Sequence, residues 1–205
     1  MLFGGLQAYH GRAQHLRTAA EREAAVAQVV ADVQQTIAAL QSAGHSVPLV
    51  TGAGSGTFGL ETASGLYGEL QAGSYLFMDR NYASNQAAPG QPRFQHALFL
   101  KSQVMSLNAT HAVVDAGHKS HAIDSGLPAV HGLPLDYANG GDEHGLLRPQ
   151  QPSGLLPALG DTVWLIPGHC DPTVNLHDHM IWVRGGLEHG VGERVIAVNA
   201  RGALT

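Results

Sequence analysis

Charge is scarce in this chain: only 13% of its 205 residues are Asp, Glu, Lys or Arg. The balance is acidic, a formal −5 at pH 7, which argues against the basic surface that a nucleic-acid partner requires. A single cysteine, Cys170, excludes an internal disulfide and fits a reducing compartment. Lysine is nearly absent, with only Lys101 and Lys119 present. No apolar run reaches the length of a membrane span, and no basic stretch precedes an apolar one at the N-terminus. These absences describe a soluble cytoplasmic protein with neither nucleic acid nor membrane as partner. Its length suits one or two domains with a substantial core. Glycine (26) and proline (10) beside 44% hydrophobic residues indicate many turns rather than disorder. Thirteen histidines are a high number and direct attention to proton transfer and metal binding.

The N-terminal part has an α/β rhythm. Leu2 to Tyr9 reads as a strand and His10 to His15 as the polar loop leaving it. Thr18 with Glu21 forms a capping-box pattern, and Val26, Val29, Val30, Val33, Ile37 and Leu40 recur at helical spacing, so a helix is expected from Thr18 to Ala43. Gly44 supplies its stop. Short strands follow at Val47 to Val50 and Leu66 to Leu70. Strand, helix, strand in this order is most economically a parallel sheet or barrel. The stretch from Ala83 to Pro92 is rich in Asn, Gln, Ala, Gly and Pro and reads as a connection. Beyond it, β-like runs appear at 97–105, 112–115, 162–166, 180–183 and 195–198. The expected organisation is an α/β portion over 1–93 and a β-rich domain over 94–205.

The two later strands predicted in the first portion, Val47 to Val50 and Leu66 to Leu70, each end in a small loop. Thr51-Gly52-Ala53-Gly54-Ser55-Gly56-Thr57 follows the earlier of these two, and Gly73-Ser74-Tyr75 lies in the loop after the later. Glycines let backbone N–H groups close on a ligand, and phosphate suits such a nest best. Thr51, Ser55 and Thr57 could add hydroxyl donors. The alternative is a flexible turn, and no Gly-Lys-Ser/Thr follows to make a Walker loop. Two successive loops of this kind are how a (β/α)₈ barrel builds a phosphate site. They are expected side by side at the C-terminal ends of neighbouring parallel strands.

A second constellation is His169-Cys170-Asp171, after the strand ending at Pro167. In an extended segment residues i and i+2 share a side, so His169 and Asp171 could hold one cation while Cys170 points away. An imidazole and a carboxylate with open positions suit Zn²⁺ or Mn²⁺, with Mg²⁺ also possible. The alternative is a polar strand end whose Asp171 caps a turn. His118 and His121 flank Lys119, and His177 and His179 flank Asp178. Surface loops explain both groups about as well as metal binding. Cys170 has no nucleophile signature around it, and a buried inert thiol explains it better. Neither lysine has the desolvated setting of a Schiff-base residue.

Taken in order, Gln7-Ala8-Tyr9, Gln14-His15, the loop from Thr51 to Thr57, Glu69 to Tyr75 and His169 to Asn175 resemble one family. The chain is similar to the D-threonine aldolase and D-serine dehydratase group, pyridoxal-phosphate enzymes of the alanine-racemase-like fold. Val114 to Gly126 looks most like its D-3-hydroxyaspartate aldolase branch. The resemblance implies the C-terminal part of a pyridoxal-phosphate (β/α)₈ barrel followed by a β-rich, metal-binding domain. It implies a cofactor site of Gln7, Tyr9, Thr51, Gly52, Gly54, Ser55, Gly56, Thr57, Gly73, Ser74 and Tyr75, and a metal pair of His169 and Asp171. His15 matches the histidine that takes the proton from the substrate's β-hydroxyl. The implied reaction is retro-aldol cleavage of a D-3-hydroxy amino acid to glycine and an aldehyde, with homodimers expected of the full-length family. In dehydratase relatives a cysteine stands two residues after the metal histidine. Asp171 occupies that position here, which favours the aldolase over the alternative D-serine or D-3-hydroxyaspartate dehydratase.

The family's Schiff-base lysine lies upstream of anything this chain matches. A fragment or non-catalytic remnant is therefore the remaining alternative, inactive alone. Such a chain is expected to self-associate through the strand edge at Leu2 to Leu6 and the stripe of its long helix.

Overall fold

A computed structural model describes residues 2–88 and 90–202. The chain divides into two compact units, one ending at Gln95 and the other starting at His96.

The first unit is built on a three-stranded parallel sheet. Its elements are β1 (Leu6–Gln7), α1 (Ala19–Ser42), β2 (Val50–Gly52), α2 (Phe58–Ser64), β3 (Glu69–Leu70) and α3 (Arg80–Ala83). The strand order is β1-β2-β3, with Leu6 opposite Val50 and Thr51 opposite Glu69. A 3₁₀ turn, Gly11–His15, leaves β1. The predicted strand from Leu2 to Tyr9 shrinks to two residues. Gly5 takes a positive φ of 139°, and a Cβ there would lie 2.0 Å from the Leu49 carbonyl oxygen, so the chain turns into the sheet only after it. The two following strands also begin later than predicted; Pro48 has no N–H for a ladder, and β3 is confined to Glu69–Leu70.

The long helix forms as its cap dictates. Thr18 Oγ1 accepts from Glu21 N at 3.2 Å, and Glu21 Oε2 accepts from Thr18 N at 3.0 Å. Of its apolar stripe only Val26 and Val33 are buried; Val29, Val30, Ile37 and Leu40 are half-buried. Arg22 is buried too, its guanidinium donating to the carbonyls of Leu16, Arg17 and Gln86.

The second unit is a six-stranded antiparallel sheet in the order β6-β9-β4-β5-β8-β7, with a separate β10-β11 hairpin. Its members are β4 (Leu100–Leu107), β5 (Ala112–Val114), β6 (Ala129–Val130), β7 (Leu135–Asn139), β8 (Gly145–Pro149), β9 (Thr162–Ile166), α4 (Cys170–Asn175), β10 (His179–Arg184) and β11 (Val191–Ala197). The end strands β6 and β7 lie near each other, so the sheet is almost closed. Its inward residues form one core of Leu100, Val104, Ala112, Val114, Leu135, Tyr137, Leu147, Val163 and Leu165. Alternation along β4 and β7 puts every second residue into that core. A partial α/β barrel followed by a β-rich domain is therefore the architecture. Among the described residues, no helix is long and apolar enough to cross a membrane.

Candidate functional site

The two small loops of the first unit meet. β2 and β3 are parallel neighbours, and the loop after each leaves its C-terminal end. Ser55 Oγ accepts from Tyr75 N at 2.8 Å, tying the loops together. Gly73 has an ordinary φ of −123°, and a Cβ added there would meet nothing within 4 Å. The cradle is open at that position. Gln7 stands nearby in the sheet, its Nε2 donating to Gln71 Oε1 at 2.8 Å, while Tyr9 and Tyr75 are exposed.

Not every glycine of the first loop faces outward. A Cβ on Gly54 would sit 2.5 Å from Gln14 Oε1, and one on Gly56 would sit 2.8 Å from the Gln14 carbonyl oxygen. Gln14 is fully buried; its Oε1 accepts from Gly56 N at 2.9 Å and its Nε2 donates to Thr57 Oγ1 at 2.7 Å. Thr57 Oγ1 in turn donates to Glu61 Oε1 at 2.7 Å. The Thr57 hydroxyl, expected to offer itself to a ligand, is turned inward and engaged. Ser55 keeps a hydroxyl proton for donation, since its oxygen is the acceptor in the bond to Tyr75. Gln14 was not singled out as a loop-shaping residue by sequence; only its place beside His15 marks it.

Glu61 closes this network at a cost. Its Oε2 is buried without a partner among the described residues, and burial holds its carboxyl above the ordinary range in spite of the bond from Thr57. A folded-state pKa above the ordinary 4.5 means that the stability from binding the proton is complete below that pH. It is lost as pH rises through the folded value. Glu61→Gln, neutral at every pH, is therefore expected to raise stability at pH 7 by on the order of 1 kcal/mol and to give no gain at pH 4. Thermal unfolding at both pH values checks this, and equal gains at the two would contradict it.

His15 ends the 3₁₀ turn and is exposed. Its Nδ1 lies 2.9 Å from Asn81 Nδ2, and its ring lies 5.7 Å from that of Tyr82, tilted by 44°.

In the second unit, His169 and Asp171 converge, with Nε2 and Oδ2 3.8 Å apart. The reason differs from the one expected. His169 is extended (φ −141°, ψ 122°), but the chain enters α4 at Cys170, so Asp171 lies in a helix's first turn rather than on an extended segment. Pro172, tolerated in a first turn, follows it. Cys170 does not turn away from the carboxylate: its thiol is buried and donates to Asp171 Oδ1 at 3.1 Å. Asp124, given no role by sequence, takes the other side of the imidazole. Its Oδ2 lies 2.7 Å from His169 Nδ1 and accepts from Ser125 Oγ at 2.9 Å. Burial pulls the Asp124 carboxyl upward, and the bonds from His169 and Ser125 outweigh it, leaving it below the ordinary range. With Nδ1 turned to Asp124, the imidazole's Nε2 faces Asp171. A carboxylate holding a metal-binding histidine in this way is a common support. Donors 3.8 Å apart leave room for a cation at about 2.1 Å from each. The donor set fits an open site with two protein ligands. Among the described residues, no group of three or more His, Cys, Asp and Glu is arranged to hold a metal.

The other histidine groups go elsewhere. His118 Nε2 and Lys119 Nζ meet Asp142 at 2.9 and 3.3 Å. His121, expected in a surface loop, is fully buried. Tyr137 donates to the Ala116 carbonyl at 2.6 Å, so its hydroxyl accepts from His121 Nε2 at 2.8 Å. Burial lowers the His121 pKa and pushes that of Tyr137 up to about 12. His177 Nε2 donates to the Ser120 carbonyl at 2.8 Å. Lys101 is exposed on β4.

The solved structure of D-threonine aldolase from Filomicrobium marinum superposes on the whole chain with a TM-score of 0.94 at 44% identity, and the chain covers 55% of it. The chain belongs to the D-threonine aldolase and D-serine dehydratase family. Residues 97–183 match the family described as "Putative serine dehydratase domain". A 3-hydroxy-D-aspartate aldolase of Paracoccus denitrificans (strain Pd 1222) is 41% identical over 98% of the chain, and a D-threonine aldolase of an Arthrobacter species is 42% identical over the same share. This family member spans about half the length of both, 52% in each case. An alanine-racemase-like protein of Idiomarina loihiensis, TM-score 0.70 at 19% identity, shares the fold.

Proposed function

We propose that this chain carries the phosphate cradle and the metal pair of a pyridoxal-phosphate- and divalent-metal-dependent lyase of the D-threonine aldolase type. The whole protein would cleave a D-3-hydroxy amino acid to glycine, or a glycine-like product, and an aldehyde. The observation that carries this reading is the His169–Asp171 pair with Asp124 behind it, in a chain 44% identical to a D-threonine aldolase. An Asp at the second ligand position, rather than a Cys, supports the aldolase over the dehydratase.

Bound in the cradle, pyridoxal phosphate would supply an electron sink that lets a bond at the substrate's Cα break heterolytically. Gly52, Gly54, Ser55, Gly73 and Ser74 would hold its phosphate, with Thr51 and Tyr75 beside them and the Thr57 hydroxyl bracing the loop from within. Gln7 and Tyr9 would line the approach. His169 and Asp171 would hold Mn²⁺, Mg²⁺ or Zn²⁺, a charge that acidifies a hydroxyl beside it. His15 would act on the substrate's β-oxygen. Neither lysine supports a role in anchoring the cofactor: Lys119 is engaged by Asp142 and Glu143, and Lys101 lies exposed on β4. The reading keeps a cytoplasmic setting and a homodimer as features of the complete enzyme.

The open space at Gly73 provides the test. Gly73→Val places its Cβ where nothing lies within 4 Å, and its bulk would take up space in the proposed cradle. Titration of the chain with pyridoxal phosphate, followed by ³¹P NMR, is expected to show binding weakened about tenfold or more, the loss of one charge-assisted hydrogen-bond set. The melting temperature should stay unchanged. Equal affinity in both proteins would overturn the cradle.

A further inference from the structure

The helix that carries Asp171 is joined to the segment that carries Asp124 by three side chains set four residues apart. His169 Nδ1 meets Asp124 Oδ2 at 2.7 Å. Thr173 Oγ1 accepts from Ala122 N at 3.1 Å, and His177 Nε2 donates to the Ser120 carbonyl at 2.8 Å. His177 lies just past α4, in a turn whose Leu176 N and His177 N still donate to the Thr173 and Val174 carbonyls. Residues 169, 173 and 177 therefore follow one face of a helical path. Their partners 124, 122 and 120 are every second residue of a segment running the other way. His121, between two of these rungs, turns its ring to Tyr137 instead, with Nε2 2.8 Å from the hydroxyl. The segment is held by β7 as well as by α4.

The middle rung fixes the register. Thr173 is buried, and a hydroxyl has a single proton. That proton goes to the His169 carbonyl, 2.6 Å away, so the oxygen meets Ala122 N–H as an acceptor. One hydroxyl thus ties the backbone of His169 to the backbone two residues before Asp124. Asp124 needs such a tie, because its side chain is 51% exposed and its own packing does not place it. Beyond the His169 rung the two backbones touch: a Cβ on Gly168 would lie 2.0 Å from the Gly126 carbonyl oxygen.

We infer that Thr173 is a positioning residue for the His169–Asp124 hydrogen bond, and through it for the cation that His169 and Asp171 would hold. It acts through the backbones of the two residues rather than through the imidazole or the carboxylate. The consequence for the cation rests on the proposed function above. The hydrogen bond does not, so the two fail separately.

The test compares Thr173→Val, which keeps the shape and removes the hydroxyl, with Thr173→Ser, which keeps the hydroxyl. The readout in the metal-free chain is the His169 Nδ1 proton, held against exchange by the Asp124 carboxylate and followed in ¹H–¹⁵N spectra of histidine-labelled protein. Wild type and Thr173→Ser are expected to show it. Thr173→Val is expected to lose it while the remaining spectrum stays native. Mn²⁺ affinity, followed by electron paramagnetic resonance, should fall at least about tenfold in Thr173→Val, the scale of outer-shell losses at histidine metal sites, and return in Thr173→Ser. Loss of the proton signal in Thr173→Val with Mn²⁺ affinity unchanged supports the positioning role and counts against the metal pair. A Thr173→Val protein that keeps the signal, or a Thr173→Ser protein that loses it, overturns the inference. A further measurement needs no variant to fold: the wild-type Ala122 amide is expected to exchange with solvent at least about tenfold more slowly than exposed loop amides. Exchange as fast as theirs overturns the inference as well.

Discussion

Asp171→Ala is expected to weaken Mn²⁺ binding by the chain by at least about tenfold, and Asp124→Asn by about tenfold, on the scale of outer-shell losses at histidine metal sites. The two act differently. Asp171 would contribute an oxygen beside His169 Nε2, 3.8 Å away. Asp124 meets the ring at Nδ1, 2.7 Å away, and would orient it so that the Nε2 lone pair faces a bound ion. Asn in its place can offer Nδ1 either an oxygen or an NH₂, so the tautomer is no longer compelled. Titration of each variant, followed by the Mn²⁺ electron paramagnetic resonance signal, measures both effects. Wild-type affinity in Asp171→Ala would remove the metal pair from the account, and wild-type affinity in Asp124→Asn would remove only its support.

The second large effect is expected at Gly168, the residue before His169. A Cβ there would lie 2.0 Å from the Gly126 carbonyl oxygen and 2.8 Å from its carbon. Both obstacles are backbone, so no side chain can swing away to relieve the overlap. The segments must separate, and they are the two that would carry the proposed site: Asp124 and Ser125 precede Gly126, and His169 follows Gly168. Gly168→Ala is therefore expected to destabilise the second unit by about 3 kcal/mol, the upper end of what overpacking typically costs. It should also abolish high-affinity Mn²⁺ binding. A thermal unfolding curve and one metal titration decide it. A protein melting within a degree or two of wild type would show that the backbones part freely there.

Much of this arrangement was legible in the residues, and the misses have physical reasons. The long helix announced itself because its capping box and its apolar spacing are both local. The strand ends were harder: β1 begins only after Gly5 because of a contact with Leu49, a residue more than forty positions away. β7 and β8 escaped notice because Asp136, Asn139, Gly145 and Pro149 are poor strand formers one by one. They pair because Leu135, Tyr137 and Leu147 share a core. His121 looked like a loop histidine until Tyr137 supplied a buried partner. The glycine loop was read as a nest for a ligand. The nearer cause is Gln14 packed beneath Gly54 and Gly56, its side chain at Gly54 and its backbone carbonyl at Gly56, whereas Gly73 keeps the open space a ligand would need. A glycine in a sequence says that something approaches closely, without saying whether that something is the protein itself. His169 and Asp171 converge as their spacing predicts, but by another geometry, because a helix's first turn and an extended strand can both bring the side chains of neighbours i and i+2 together.

We propose that His169 and Asp171 form one cation site. Crystals of the chain soaked in Mn²⁺ and measured for anomalous scattering test it most directly. The account predicts an anomalous peak at about 2.1–2.2 Å from both His169 Nε2 and Asp171 Oδ2, with Asp124 still bonded to Nδ1. A Mn²⁺ ion bound stoichiometrically elsewhere, with that pair unoccupied, would contradict it.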